Sequence, residues 1–150
     1  MSDRRPDEEL QERFHLQQCL RCGQCTERCP SARQGGVRPG EVVAAVLDGT
    51  EPQGIWDCLL CHRCLEVCPS NIDIVMLMTH LRHRSALEGV APDRFLRTGA
   101  ILVKEGRGFP ANPRTQRARE ELGLPPLMDS DRAMRELGKI ISRTRFAYER

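Results

Sequence analysis

Residues 19–30 read Cys19-Leu20-Arg21-Cys22-Gly23-Gln24-Cys25-Thr26-Glu27-Arg28-Cys29-Pro30, and residues 58–69 read Cys58-Leu59-Leu60-Cys61-His62-Arg63-Cys64-Leu65-Glu66-Val67-Cys68-Pro69. Both stretches are C-x2-C-x2-C-x3-C-P. Three thiolates at this spacing can wrap three corners of an iron–sulfur cube along a tight turn. The fourth, three residues further on, is directed toward the cluster held by the other run. The spacing therefore predicts two [4Fe–4S] clusters, one on Cys19, Cys22, Cys25 and Cys68, the other on Cys58, Cys61, Cys64 and Cys29. All eight cysteines of the chain lie in these two runs, so no thiol is left for other chemistry.

Competing uses of eight cysteines fit less well. A zinc-stabilised interaction module needs four ligands per ion, usually as two close pairs separated by a longer stretch, whereas each run here packs four cysteines into eleven residues. A disulfide scaffold belongs to secreted proteins. The segment Met1-Ser2-Asp3-Arg4-Arg5-Pro6-Asp7-Glu8-Glu9 contains no apolar stretch of the kind a signal peptide or twin-arginine export signal requires. A reducing, cytoplasmic setting, in which thiolates survive to bind iron, is the expectation.

With 150 residues there is room for one domain and an appended helical arm. Six aromatic residues make a core that must rest on Leu, Val and Ile and on the clusters themselves, so ligation contributes to folding. The longest uninterrupted apolar run, Val42 to Leu47, is far short of the ~20 residues of a membrane helix, and no membrane span is expected. Charge is unevenly placed: residues 1–103 carry 12 basic and 14 acidic side chains, residues 104–150 carry 11 and 7. A nucleic-acid surface would need a denser basic stripe with stacking aromatics. The tail instead interleaves acids with Phe109, Phe146 and Tyr148, which reads as a solvated or partner-facing helical surface. The preference for arginine, 21 against 2 lysines, carries no functional reading.

The periodicity is helical throughout, with no sustained period-two alternation. Residues 7–18 place Leu10 and Phe14 on one face. Pro39 can open a helix that turns Val42, Val43, Val46 and Leu47 inward and stops at Gly49. Trp56, two residues before Cys58, reads as a packing anchor. Asp73 can cap a helix to about Glu88 with Ile74, Leu77, Met78 and Leu81 on one stripe and Gly89 at its end. Met76 and Met78 read as gap-fillers. Pro92 can open a helix to about Lys104 that packs Phe95, Leu96 and Val103. Asn112-Pro113 caps another, running to Leu122 before Gly123. Ser130 can cap a last one whose Met134, Leu137, Ile141 and Tyr148 share a face, placing a helix over 129–148 that docks on a partner or packs back on the core. The predicted class is mostly α, with an α-helical dicluster core and its N-terminal helix over 1–92, and a helical C-terminal extension over 93–150 that packs on the core, on partner subunits or on both.

Between the runs, 28 residues separate Cys29 from Cys58, enough for a helix. This arrangement resembles the α-helical ferredoxin fold of the iron–sulfur subunits of succinate dehydrogenase and related enzymes. A narrower resemblance is to the iron–sulfur C subunits of heterodisulfide reductase. It is carried by the two cysteine runs together with Leu81-Arg82 to Gly89, Gly106-Arg107-Gly108-Phe109-Pro110 and Arg119-Glu120-Glu121-Leu122-Gly123-Leu124-Pro125-Pro126, and it spans roughly residues 15–127. Because many proteins share the cysteine runs, the downstream segments carry the specificity. The resemblance implies an electron-transfer subunit with two clusters, standing between two partners: a flavin-containing iron–sulfur subunit, and the catalytic subunit that bears Cys-Cys-Gly motifs. The iron–sulfur subunit of a quinone-linked, succinate- or glycolate-type dehydrogenase is the alternative; its usual plant-type [2Fe–2S] or fused cysteine-rich domain has no room in this length.

Residues among the cysteines should adjust reduction potential rather than react. Leu20, Leu59, Leu60, Leu65 and Val67 are expected to exclude water, Arg21, Arg28 and Arg63 to favour the reduced state if they face a cluster, and Gly23 to let its amide approach cluster sulfur. His15, His62, His80 and His83 are expected on exposed or helix-face positions, since thiolates already complete both cubes. No Ser-His-Asp set, phosphate loop or dinucleotide fingerprint occurs; Gly35-Gly36 lies outside any G-x-G-x-x-G, and the Cys-Cys-Gly motif of the catalytic partner is missing. A non-catalytic electron carrier is the function expected.

Overall fold

Eight α-helices and three short 3-10 turns account for the regular structure of the computed structural model, which describes residues 6–108, 111–127 and 131–144. There is no strand among the described residues. The helices are α1 (Pro6–Arg13), α2 (Gln24–Glu27), α3 (Pro39–Asp48), α4 (Arg63–Glu66), α5 (Ile74–Leu87), α6 (Asp93–Glu105), α7 (Pro113–Glu121) and α8 (Asp131–Ile141). Ser130 and Tyr148, expected at the two ends of the last helix, lie outside the described residues, as do Arg4, Arg5, Phe109, Pro110 and Phe146. The chain divides into two compact units, residues 1–89 and 90–150.

The punctuation read from the sequence is largely where it was expected. Asp73 caps α5 by accepting the Met76 amide at 2.9 Å, and Asn112 caps α7 by accepting the Thr115 amide at 2.9 Å, each satisfying an orphan N–H of the first turn. Pro39 and Pro113 occupy first-turn positions, where a missing N–H costs nothing. Gly49 leaves α3 in the left-handed region.

One expected element is broken. The helix read over 7–18 stops at Arg13, because His15 adopts φ 52°, and a 3-10 turn over Leu16–Gln18 then delivers the chain to Cys19. Gly54 (φ 68°) and the turn Ile55–Asp57 do the same before Cys58. An amphipathic period could not reveal this kink, since Leu10, Phe14 and Leu16 are all buried in spite of it.

In the first unit α1 packs on α3, α2 lies against α3 and α4, and α4 against α5. The core draws Leu10 from α1 and Phe14 from just beyond it, Val42, Val43 and Val46 from α3, and Ile74, Val75, Leu77, Met78 and Leu81 from α5. Gln11 bridges α1 to the end of α3 by donating to the carbonyls of Val46 (2.8 Å) and Leu47 (3.3 Å). Met78 fills the core as expected, but Met76 is 46% exposed and fills no gap.

In the second unit α6 packs against α8. Met134, Leu137 and Ile141 are half-buried, and the Met134 sulfur lies 2.7 Å from where a Cβ on Gly106 would stand. The apolar stripe of α8 thus meets its own unit. Phe95, expected inside α6, is exposed and carries the Arg94 guanidinium 4.9 Å from its ring centre.

Leu77 is fully buried at the centre of the first unit. Leu77→Ala is expected to lower unfolding stability by about 2–5 kcal/mol, measured by urea denaturation of the anaerobic holoprotein, while exposed Leu20→Ala stays within about 0.5 kcal/mol.

Candidate metal centres

The two cysteine runs fold as copies of one another at an offset of 39 residues. The 3-10 turns Leu16–Gln18 and Ile55–Asp57 correspond, as do Cys19 and Cys58, α2 and α4, and Cys29 and Cys68. The backbone repeats in detail: Arg21 and Leu60 take φ 50° and 51°, and Gly23 and His62, which open α2 and α4, take φ 77° and 63°. Two-residue spacing thus works by a left-handed residue ahead of each short helix. Gly23 serves that turn; nothing crowds its Cα, so close approach by neighbouring protein is not what requires glycine there.

The copies then close on each other. Ser31, just past Cys29-Pro30, donates its hydroxyl to the Asp57 carbonyl at 2.8 Å, immediately before Cys58. Ser70, just past Cys68-Pro69, donates to the Gln18 carbonyl at 2.7 Å, immediately before Cys19. Each run's fourth cysteine is therefore tethered beside the other run's first. Gly36 makes one tether possible, because a Cβ there would stand 2.3 Å from the Ser31 hydroxyl oxygen.

Two cavities follow from this exchange. One, of about 530 Å³, is lined by Cys19, Cys22, Cys25 and Cys68, with Gly40, Val43, Ala44, Ile72 and Ile74 among the walls. A narrower cleft is lined by Cys29, Cys58, Cys61 and Cys64, with Pro39, Val75 and Met78. Among the described residues no three Cys, His, Asp or Glu side chains close on a point as they would around a single ion. The thiols ring volumes instead. Backbone amides already point at sulfur, Leu60 N–H at Cys58 Sγ and Ile72 N–H at Cys68 Sγ, each at 3.4 Å.

Burial sets the electrostatics. It pushes the Cys64 thiol up to about 11, with neighbouring Cys58 and Cys25 adding to the rise and the Leu65 and Cys64 backbone opposing it. Burial also raises the Cys25 thiol, but the Thr26 side chain and backbone hydrogen-bond it and pull the other way. Thiols held neutral in a dry wall ionise once a cation compensates them.

Comparison with known proteins agrees with this architecture. The family described as "4Fe-4S dicluster domain" matches residues 15–72. The chain is 30% identical over 140 residues to the C subunit of the H(2):CoB-CoM heterodisulfide,ferredoxin reductase of Methanothermobacter marburgensis, covering 87% of this chain and 76% of that one. It is 31% identical over 126 residues to the C subunit of the ferredoxin/F(420)H(2)-dependent CoB-CoM heterodisulfide reductase of Methanosarcina acetivorans, covering 79% and 76%. The chain belongs to the family of heterodisulfide reductase C subunits. It is an iron–sulfur protein of the [4Fe–4S] type.

Several residues among the cysteines of this reductase-family chain differ from expectation. Leu20 and Leu59 are 69% and 65% exposed and Leu60 is exposed as well, so the first loop of each run leaves its thiols open rather than shielding them; only Leu65 and Val67 are half-buried. Cys22 and Cys61 are the exposed thiols, and Cys29 and Cys64 the buried ones. Arg21 reaches Asp48 at 3.6 Å, while Arg28 and Arg63 are exposed. As expected, His15, His62 and His83 are exposed, and the half-buried His80 on α5 meets the Phe14 ring edge-on at 6.1 Å.

Three contributors escaped the sequence reading. Ser31 and Ser70 had a signal, Cys-Pro-Ser in both runs, but not a partner. Arg82 stood only within the Leu81-Arg82 segment of the resemblance, with no role read for it: it donates to the Ile55 carbonyl at 2.8 Å and to the Cys58 carbonyl, and lies 5.6 Å from the Trp56 ring centre. Trp56 is accordingly the packing anchor expected, clamped by an arginine from α5. Arg82→Met should cost about 1.5–3 kcal/mol, the scale of a charged hydrogen bond, and should speed iron loss to a chelator from the site containing Cys58 more than from the other.

Proposed function

We propose that the chain holds two [4Fe–4S] clusters with exchanged ligands, Cys19, Cys22, Cys25 and Cys68 around one and Cys58, Cys61, Cys64 and Cys29 around the other. Its task in this reading is to pass single electrons within a heterodisulfide reductase-like complex, between a flavin-containing iron–sulfur partner and a catalytic partner with Cys-Cys-Gly motifs. The observation that carries the ligand assignment is the reciprocal pair of tethers, Ser31 to Asp57 and Ser70 to Gln18, with the thiols sorted into the same two sets around the two cavities. The partners rest on the family, and the names of its relatives carry the reductase context.

When bound, such clusters supply one-electron storage at potentials set by their surroundings. The chain's residues do the rest. Eight thiolates bind, Ile72, Ile74, Val75 and Met78 keep water from the inner walls, and the Leu60 and Ile72 amides stabilise negative charge on sulfur. Cys25 adds to the rise at Cys64, which supports two neighbouring sites, while Cys22 and Cys61 reach the surface where partners can exchange electrons. Pro39 and Gly40, consecutive at the start of α3, border one cavity each.

Cys29→Ser is expected to perturb the cluster held by Cys58, Cys61 and Cys64 and to spare the other, read by spectroscopy that resolves the two; selective damage beside Cys19 would reverse the assignment. Purified anaerobically, the single chain should accept about two electrons from dithionite, one per cubane, and turn over no heterodisulfide, succinate or nicotinamide. Turnover by the highly purified chain would overturn the carrier reading.

A further inference from the structure

The fourth thiols of the two runs hold equivalent places in the repeat but meet opposite backbone groups. After Cys68-Pro69, Asn71 adopts φ 53°, a left-handed turn that asparagine tolerates. The Ile72 N–H that follows is aimed at Cys68 Sγ, 3.4 Å away. After Cys29-Pro30 the chain instead enters the 3-10 turn Ala32–Gln34. Arg33 is the counterpart of Ile72 at the 39-residue offset, and its N–H goes to the Cys29 carbonyl at 3.3 Å. The Cys29 thiol is left to donate to the Val37 carbonyl at 3.7 Å. Cys29 and Val37 are 8% and 1% exposed, so bulk water does little to screen that contact.

Iron binds the thiolate, which has no proton to donate. On iron, Cys68 sulfur keeps the Ile72 N–H beside its negative charge, whereas Cys29 sulfur faces the negative end of a carbonyl dipole. In a dry wall that repulsion is strong. Released from iron, Cys29 regains its hydrogen bond to Val37. We propose that Cys29 is the releasing ligand: a one-electron oxidant strips the iron it holds from the cluster on Cys58, Cys61, Cys64 and Cys29, and leaves the cluster on Cys19, Cys22, Cys25 and Cys68 whole. One electron passes from the cluster to the oxidant, which is reduced. The iron departs as Fe2+, breaking its bonds to Cys29 sulfur and to the cluster sulfides, and the Cys29 sulfur takes a proton from water. Cys58, Cys61 and Cys64 retain a [3Fe–4S] remnant. Exposure alone favours the opposite corner, since Cys68 is the more open of the two fourth thiols. The inference rests on the two-cluster reading above.

The test is ferricyanide oxidation of the full chain, reconstituted anaerobically with iron and sulfide and followed by electron paramagnetic resonance and iron release. Roughly one iron per chain should reach solution, with roughly one three-iron cluster left behind. The corner on Cys68 should lose iron about tenfold more slowly, the scale of one charged hydrogen bond. Cys29→Ala should give the same three-iron line shape without oxidant, and Cys68→Ala a different one. Exchange of Ile72 for its α-hydroxy acid, which removes only the N–H, should bring the other cluster to the same rate of loss. If Cys29→Ala fails to hold that cluster, alkylation of the oxidised wild type, mapped by mass spectrometry, should find Cys29 free and Cys68 protected. Suppose about eight irons load per chain and ferricyanide releases none, releases both corners equally or yields the Cys68→Ala line shape. The proposal is then overturned and the two-cluster reading stands. An Ile72 exchange that leaves the rates unchanged overturns it equally, as does labelling of Cys68 or of no cysteine. A wild-type chain that holds fewer than two clusters brings down both.

Discussion

Neither cysteine run completes its own site. Each supplies three thiols to one cavity and one to the other, and two serine hydroxyls close the exchange across sequence separations of 26 and 52 residues. Long-range closure of this kind is entropically costly, and the chain has only six aromatic side chains to offset it. It is stabilised here by an aliphatic core of α1, α3 and α5 beneath the runs and, in the proposed holoprotein, by ligation itself. The kinks at His15 and Gly54, the left-handed residues inside the runs and the short helices α2 and α4 all serve to bring each fourth cysteine to its neighbour's first.

An internally repeated frame need not give two equivalent sites. The 39-residue repeat keeps turns and thiol positions the same within the molecule, while the side chains between cysteines diverge: Thr26 against Leu65, Gly23 against His62, Arg21 against Leu60. Burial raises both Cys25 and Cys64, yet only Cys25 has a hydroxyl to oppose the rise. The surrounding walls differ too, one cavity being roomy and the other narrow. A frame that holds thiols rigidly and varies what surrounds them gives the two thiol-lined cavities different electrostatics.

Openness is the other recurring property. The first loop of each run exposes a thiol and a leucine, Cys22 with Leu20 and Cys61 with Leu59. A site meant to exclude water would bury them; a one-electron carrier gains from a thin edge that a partner can cover on docking. The second unit, residues 90–150, holds 13 basic and 8 acidic side chains against 10 and 13 in residues 1–89. Its half-buried apolar residues on α8 turn toward α6.

Spacing alone carried the helical class, the capping residues Asp73 and Asn112 and the proline starts, and it proposed the two mixed sets of four cysteines that line the two cavities. Those are local or near-local signals: a cap acts within one turn, and a fourth cysteine three residues beyond the third is directed outward whatever surrounds it. Tertiary structure decided what depends on partners distant in sequence. Nothing local distinguishes Leu20 and Leu59, which face solvent, from Leu77, which is buried, because exposure depends on where α3 and α5 pack. Ser31, Ser70 and Arg82 matter through carbonyls 26, 52 and 24–27 residues away, and Thr26 through the start of a helix 14 residues on. A thiolate's identity as a ligand is written in its spacing. The environment that sets its energy is assembled from the whole first unit.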